Sequence, residues 1–394
     1  MFVPRQGGDA RVPFSCGGGY RFSQSPNSSK NMSDKRLYNF SAGPAVLPLP
    51  VLKKAQEELL CLPGVGASVM EISHRSKTFE AILEATEANV RALLQVPNNY
   101  RILFLQGGAL LQFGMIPMNL LGDKSADYIV TGAWSKKAAS EAKIVGKTNV
   151  IWDGKEVSYK RKPTASELKF NADAAYVYLC ANETIEGVQY PAMPDTGSVP
   201  LVCDSSSDIF SKPLDVSKYG ILYACAQKNV GPAGVTLVII RDDLVERSPD
   251  TLPSLLHYKK IAEQKSMLNT PPCFAIYMVK LVTEWLLNDM GGLDKMYAFN
   301  KEKAGLLYDA IDSSGGYYKG HAETEYRSIM NVPFRLPSEE LDKKFESEAK
   351  AAGLVMLSGH RSVGGLRASI YNAMPREGVV ALCDFMCDFA KKNG

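Results

Sequence analysis

The chain has 394 residues, is 45% hydrophobic and 22% charged, and carries a formal net charge of +3. That length exceeds one domain of ordinary size, the composition is that of a globular protein, and so small a charge excess argues against nucleic-acid or membrane-surface binding. No apolar run approaches the roughly 18 residues of a membrane span.

Residues 1–33 are rich in Gly, Ser, Pro and Arg, show no apolar period, and hold Asp9 as the one acid before Asp34. They read as a disordered leader. An Arg- and Ser-rich, acid-poor end also suits an organelle transit peptide, but Gly17-Gly18-Gly19 and the prolines spoil an amphipathic helix. Met32 stands directly before the patterned sequence, and a cytoplasmic location is the simpler expectation.

From Arg36 onward strands and helices alternate. Residues 50–60 and 78–94 have apolar residues at helical spacing with lysines and glutamates between them. Short, β-branched apolar runs bounded by turn residues follow at 102–105, 128–130, 150–152, 175–180, 200–203, 221–224 and 235–240. Such runs predict buried strands, and helical stretches between them, such as 136–143, predict an α/β fold with a mostly parallel sheet covered on both faces. Residues 274–287 and 293–313 read as helices, and the remainder suits a smaller α+β domain. The expected division is a leader over 1–33, a large domain over 34–290 with an N-terminal segment at 34–50, and a small C-terminal domain over 291–394. The eight cysteines are scattered without a CxxC pair. Cys383 and Cys387 share a helix face, but no nearby histidine completes a metal site, so reduced structural thiols in a reducing compartment and no metal are expected.

In open α/β sheets ligands bind at the carboxyl ends of the strands, which directs attention to the loops there. Gln106-Gly107-Gly108-Ala109 follows the 102–105 run, where glycines let backbone N–H groups approach a phosphate at a helix N-terminus. Alone, a tight turn without a ligand explains it equally well. Asp204 closes the 200–203 run before three serines, and as a single feature it could be a helix cap. Lys228 follows the 221–224 run in Gln227-Lys228-Asn229, ahead of Gly231-Pro232-Ala233-Gly234. An anion loop, then an acid, then a lysine at successive strand mouths is the set that pyridoxal-phosphate (PLP) chemistry needs. A lysine forms the Schiff base, an acid keeps the pyridine nitrogen protonated, and N–H donors hold the phosphate. Trp134, read as the end of the 128–130 strand, could stack on the ring or belong to the core. Two of the four histidines adjoin arginines, in His74-Arg75 and His360-Arg361, and Arg367 follows. Planar guanidinium forks pair bidentately with carboxylate and phosphate, so the set suits a substrate with several negative charges; each pair in isolation could equally be a surface salt bridge.

Six segments taken in order resemble the phosphoserine aminotransferase family, a branch of the fold-type I PLP enzymes: Phe40-Ser41-Ala42-Gly43-Pro44, Glu71-Ile72-Ser73-His74-Arg75-Ser76, Asn182-Glu183-Thr184-Ile185-Glu186-Gly187, the run 226–234 around Lys228, Asn269-Thr270-Pro271-Pro272, and Arg367-Ala368-Ser369-Ile370-Tyr371-Asn372-Ala373. The resemblance runs from about Tyr38 to the C-terminus. It implies a homodimer with active sites shared between subunits, PLP as cofactor, and amino transfer between L-glutamate and 3-phosphohydroxypyruvate. It implies Lys228 as the Schiff-base lysine, Asp204 at the pyridine nitrogen, Trp134 on the ring and Thr184 at the ring hydroxyl. Phosphate contacts fall to Gly108, Ala109, Leu110 and Gln227, with Asn269 and Thr270 from the other chain. His74 and Arg75 of that chain meet His360, Arg361 and Arg367 around the substrate, and Ser41 and Ala42 line the entrance. Many family members carry another glycine and a polar or basic residue where this chain has Ala109-Leu110, a change that backbone donors survive. Two rivals fit the residues less well. One is another small-substrate PLP enzyme of the same fold, either a different aminotransferase or a cysteine desulfurase, the latter needing a mobile nucleophilic thiol for which Cys273 is the candidate. A non-catalytic phosphate-binding module would favour a P-loop, but Lys228 precedes its glycines where a P-loop lysine follows them.

Overall fold

A seven-stranded sheet forms the centre of the computed structural model, which describes residues 36–361 and 363–394. Its strands are β1 (Tyr100–Leu105), β2 (Ala126–Val130), β3 (Thr148–Asp153), β4 (Val177–Cys180), β5 (Leu201–Asp204), β6 (Ile221–Cys225) and β7 (Thr236–Arg241). They lie in the order β1-β7-β6-β5-β4-β2-β3. All neighbours from β6 to β3 are parallel, while β7 runs antiparallel to both β1 and β6. The leader lies outside the described residues.

The sheet is buried on both faces, as a parallel sheet must be. Side chains alternate across it. Ile102, Phe104, Leu179, Cys203, Leu222 and Ile239 enter one apolar core, whereas Leu103, Leu105, Tyr178, Val202, Tyr223 and Val238 enter another. Helices α1 (Leu49–Leu60), α2 (Lys77–Leu94) and α5 (Cys273–Glu284) close the first; α3 (Gly108–Leu120) and α4 (Ala133–Val145) close the second. α5 does not run on as an α-helix through 287: its last part, Trp285–Asp289, is wound as a π-helix. Trp134 stands in the first turn of α4 and not at the end of a strand.

A third core gathers α6 (Leu293–Asp312), α7 (Glu339–Ala351) and α8 (Arg376–Asn393) against a three-stranded antiparallel sheet of β8 (Lys319–Gly320), β9 (Asn331–Arg335) and β10 (Leu366–Ser369). Phe40 is fully buried in that core, because Tyr38–Asn39 pairs in parallel with Leu354–Val355. Residues 38–40 therefore lie against the C-terminal part of the chain. The seven cysteines among the described residues are free thiols, and no helix there is long and apolar enough to cross a membrane.

A wholly buried lysine secures the segment after β10. Lys303 Nζ on α6 donates to the carbonyls of Ile370 (2.9 Å), Tyr371 (2.7 Å), Asn372 (3.3 Å) and Met374 (3.0 Å). Burial pushes its amine pKa well down, while a ring of carbonyl oxygens is what an ammonium needs in place of water. The held segment reaches the centre of the molecule: Asn372 N donates to Asn229 Oδ1 at 3.0 Å, and Asn372 Nδ2 to the Phe210 carbonyl at 2.9 Å. Lys303→Met fills the space but leaves those carbonyls unpaired, so it should cost about 3 kcal/mol or more of stability; denaturant unfolding that finds less than about 1 kcal/mol would show the clamp to be dispensable.

Candidate active site

The carboxyl ends of β1, β2, β4, β5 and β6 open on one side of the sheet, and a cleft of about 240 Å³ lies there. Each wall follows from the local chain. After β1, Gly107 turns the backbone with φ +88 into α3. A Cβ there would lie 2.5 Å from Leu111 Cδ2, so only glycine fits. The first turn of α3 then presents its N–H groups to the cleft. Gly108, Ala109 and Leu110 all line it, and Ala109 N donates to Cys225 Sγ at 2.9 Å, a weak acceptor that a phosphate oxygen would replace.

Trp134 forms a second wall. Its indole Nε1 is buried without a hydrogen-bond partner. Asp204, the last residue of β5, is buried and accepts from Ser206 N at 2.9 Å. Burial raises the Asp204 carboxyl above its ordinary pKa, opposed by the Ser206 donors and the Lys228 cation. Lys228 stands in the turn after β6 with Nζ donating to Thr184 Oγ1 at 2.7 Å. Gln227 and Lys228 flank Gly43, whose Cβ would meet their Cγ atoms at 3.6 and 3.7 Å, and Ala45 N donates to the Gln227 carbonyl at 2.8 Å. The segment with Ser41 and Ala42 therefore lies against the lysine. Tyr371 holds it, donating from its hydroxyl to the Ala42 carbonyl at 2.7 Å.

Arg367, in β10, reaches the same place from the C-terminal part: Nη1 donates to the Thr184 carbonyl at 3.4 Å, while Nε is buried and unpaired. His360 and the exposed Arg361 sit in the turn before β10. Burial, then the nearby Arg367 and Arg361, pushes the His360 imidazole below its ordinary pKa.

Nine expected residues do not line this cleft within one chain: Ser41, Ala42, His360, Arg361 and Arg367, which lie beside it in the segments just described, and His74, Arg75, Asn269 and Thr270, which stand elsewhere. His74 and Thr270 share a separate open groove with Met70 and Cys273. Asn269 borders a third cavity and donates to Gln106 Oε1 at 3.1 Å, and Arg75 is exposed just before α2. Cys273 is the first residue of α5, its thiol pKa raised by burial, and it does not face the cleft.

Three buried charged residues beside the cleft are not singled out by the sequence. Lys162 is fully buried, with Nζ donating to Thr131 Oγ1 and the Cys180 carbonyl, both at 3.1 Å. Glu183 and Glu186 cap the first turn of α4: Glu183 accepts from Trp134 N and Ser135 N at 3.0 Å, and Glu186 from Ala133 N at 3.0 Å. Lys162 carries no signal in its polar stretch. The two glutamates stand in a quoted motif, but only the backward fold of the 182–189 hairpin onto α4 discloses their use.

A small aromatic aldehyde phosphate fits this set. An unpaired indole edge, a buried acid, an amine and weakly engaged helix N–H groups surround one cavity of suitable size.

The chain matches the family model of class-V aminotransferases over residues 37–382. It is 55% identical over 362 residues to the phosphoserine aminotransferase of Rhodopirellula baltica, covering 91% of this chain and 96% of that one. Among solved structures it is similar to phosphoserine aminotransferase from Bacillus circulans subsp. alkalophilus (TM-score 0.89, 50% identity, 91% and 99% of the two chains). It is also similar to the PLP-bound phosphoserine aminotransferase from Trichomonas vaginalis (TM-score 0.85, 41% identity, 89% and 100%). The architecture is that of the fold-type I aminotransferases.

Burial pushes the Glu186 carboxyl up to about 8, and the neighbouring Glu183 adds to the rise. A folded-state pKa above the unfolded value means that the folded chain holds the extra proton. The stability it contributes is full below pH 4 to 5 and is lost as pH rises through about 8. Glu186→Gln removes this titration. Between pH 5 and 8 the melting temperature of the wild type should therefore fall relative to that of the variant; parallel curves would contradict the assignment.

Proposed function

Because the chain belongs to the class-V aminotransferase family, and within it to the phosphoserine aminotransferases, we propose that it moves an amino group reversibly between L-glutamate and 3-phosphohydroxypyruvate. The products are 2-oxoglutarate and O-phospho-L-serine, in L-serine biosynthesis. The cofactor is pyridoxal phosphate. The observation that carries the reading is the single cleft on which Lys228, Thr184, Asp204, Trp134 and the α3 N-terminus converge.

When bound, pyridoxal phosphate supplies an aldehyde carbon that takes the amino group and a protonated ring that draws off electron density. The N–H groups of Gly108, Ala109 and Leu110, aided by the α3 dipole and Gln227, bind the phosphate. Trp134 would pack on the ring and Thr184 would meet the ring hydroxyl, both lining the cleft. The Asp204 carboxylate, desolvated in the cleft, gains most from a cation at the ring nitrogen and so favours the protonated ring. Lys228 anchors the cofactor through Nζ. Once freed by the substrate amine, that same nitrogen would take the α-proton and deliver it to the former aldehyde carbon two bonds away, as general base and then general acid.

Both substrates share an α-carboxylate. Arg367, with an unpaired Nε and a planar fork, takes that group. The distal phosphate or γ-carboxylate falls to His360 and Arg361, joined by His74 and Arg75 of the partner subunit. Asn269 and Thr270 of the partner subunit complete the phosphate site. A homodimer is supported by the position of these four away from the chain's own cleft, with His74 and Thr270 on a groove that a second copy would cover. The separate apolar core of the C-terminal part supports reading 291–394 as a small domain beside a large one over 34–290. The location proposed is the cytoplasm.

Each charge-assisted hydrogen bond is worth about 1.5–3 kcal/mol, so loss of one arginine should cost about tenfold to over a hundredfold. Single-turnover rates of the two half-reactions, measured separately, test the division of labour. Arg367→Ala should slow both, and Arg361→Ala should slow the phosphohydroxypyruvate half-reaction most, because its substrate carries the extra charge. Equal losses from Arg361→Ala in both half-reactions would misplace the distal anion.

A further inference from the structure

Next to the cleft, outside the residues assigned above, lies a buried charged group with its own logic. Glu183 is fully buried, and both of its carboxylate oxygens accept from one helix and its approach. Its Oε2 takes Trp134 N at 3.0 Å. Its Oε1 takes Ser135 N at 3.0 Å and Ser135 Oγ at 2.5 Å, with Thr131 Oγ1 at 3.4 Å. Ser135 Oγ in turn accepts from Thr131 N at 2.8 Å and Gly132 N at 3.2 Å, which ties down the loop from β2 to α4. Gly132 leaves room for the acid: a Cβ there would fall 2.6 Å from Glu183 Cδ. A charge so far from water needs a counter-charge. Lys162 faces it across the same Thr131 hydroxyl: it is fully buried, burial lowers its amine pKa while Glu183 raises it, and its Nζ lies over the Tyr190 ring at 4.5 Å.

The next residue, Thr184, receives Lys228 Nζ. Two successive residues thus hold two different walls of the cleft. Glu183 holds the turn that bears Trp134, and Thr184 holds the lysine. The short ladder between Asn182–Glu183 and Val188–Gln189 stiffens this step, with Gly187 N donating to the Glu183 carbonyl at 2.8 Å.

We propose that Glu183, charge-balanced by Lys162, is a positioning residue for the cofactor: its carboxylate fixes the first turn of α4 and thereby sets the Trp134 indole at the distance and angle that the ring requires. It touches neither cofactor nor substrate and acts through Trp134. The inference rests on the proposed PLP chemistry of the cleft. A carboxylate is required because its two oxygens accept N–H groups on both sides; Glu183→Gln would turn an NH₂ toward one of those donors, and an α4 turn freed in that way loses its fixed place.

The test is a double-mutant cycle read as cofactor affinity, not activity. Full-length protein is stripped of cofactor and dialysed to equilibrium against graded PLP, for wild type, Glu183→Gln, Trp134→Ala and the double variant. Glu183→Gln should raise the dissociation constant about ten- to hundredfold. In the Trp134→Ala background the same change should cost under about threefold, because its effect is already spent. Melting of the stripped proteins separates this from a loss of fold. Should Glu183→Gln not fold, Ser135→Ala removes one contact of the same carboxylate, and it should weaken PLP binding about two- to tenfold with the same dependence on Trp134. An unchanged dissociation constant, or a cost undiminished without the indole, overturns the positioning role while leaving the cofactor assignment standing. Wild-type protein that takes up no PLP would sink both.

Discussion

The Lys228 amine lies within hydrogen-bond distance of the Thr184 hydroxyl, 2.7 Å away, and the site is arranged around keeping it there. Lys228 stands in a turn closed by Gly231 N on the Ala226 carbonyl. Its neighbour Asn229 is fully engaged, accepting from Asn372 and donating to Ile209. Thr184 belongs to a hairpin that binds α4 on one side and accepts Arg367 on the other. Removing any one of these supports would leave buried polar groups unpaired, at a cost of about 1–3 kcal/mol each. The Lys228 amine is thus placed by satisfied backbone and amide hydrogen bonds and makes one side-chain contact of its own, to Thr184.

Charge is balanced in the same local manner. Asp204 and Lys228 share the cleft floor, and Glu183 pairs through Thr131 with Lys162. Glu186, the third acid of the neighbourhood, is pushed towards its neutral form by burial. Lys303 replaces its lost water with four carbonyls. Buried cations of this kind carry no chemistry themselves. They fix the segments, 131–135 and 370–374, that carry Trp134 and Tyr371 and follow Arg367.

Much of the large sheet is legible in the sequence, because strands buried on both faces are written as unbroken apolar runs with turn residues at each end. The five strand ends that open on the cleft follow from that pattern, and Asp204 and Lys228 stand out as polar residues at or just after the ends of such runs. Direction is not written there: the 236–241 run is as apolar as its parallel neighbours, yet it runs the other way. Nor does periodicity show that Tyr38–Asn39 pairs with a segment more than 300 residues later. Trp134 looked like a residue after a strand because α4 starts with little polar warning. Lys162, Glu183 and Lys303 were invisible as a class, since a buried charge is identified by partners distant in sequence. His74, Arg75, Asn269 and Thr270 stand in motifs that resemblance alone connected to the substrate, and one chain does not bring them to its cleft.

The claim on which the rest stands is that Lys228, among all the lysines, carries the cofactor. Borohydride reduction of the purified protein followed by peptide mass mapping tests it directly. The account predicts a single pyridoxyl group on the peptide containing Gln227-Lys228-Asn229, with Lys162 and Lys303 unmodified. A label on either of those buried lysines, or no label in a protein that binds PLP, would contradict it.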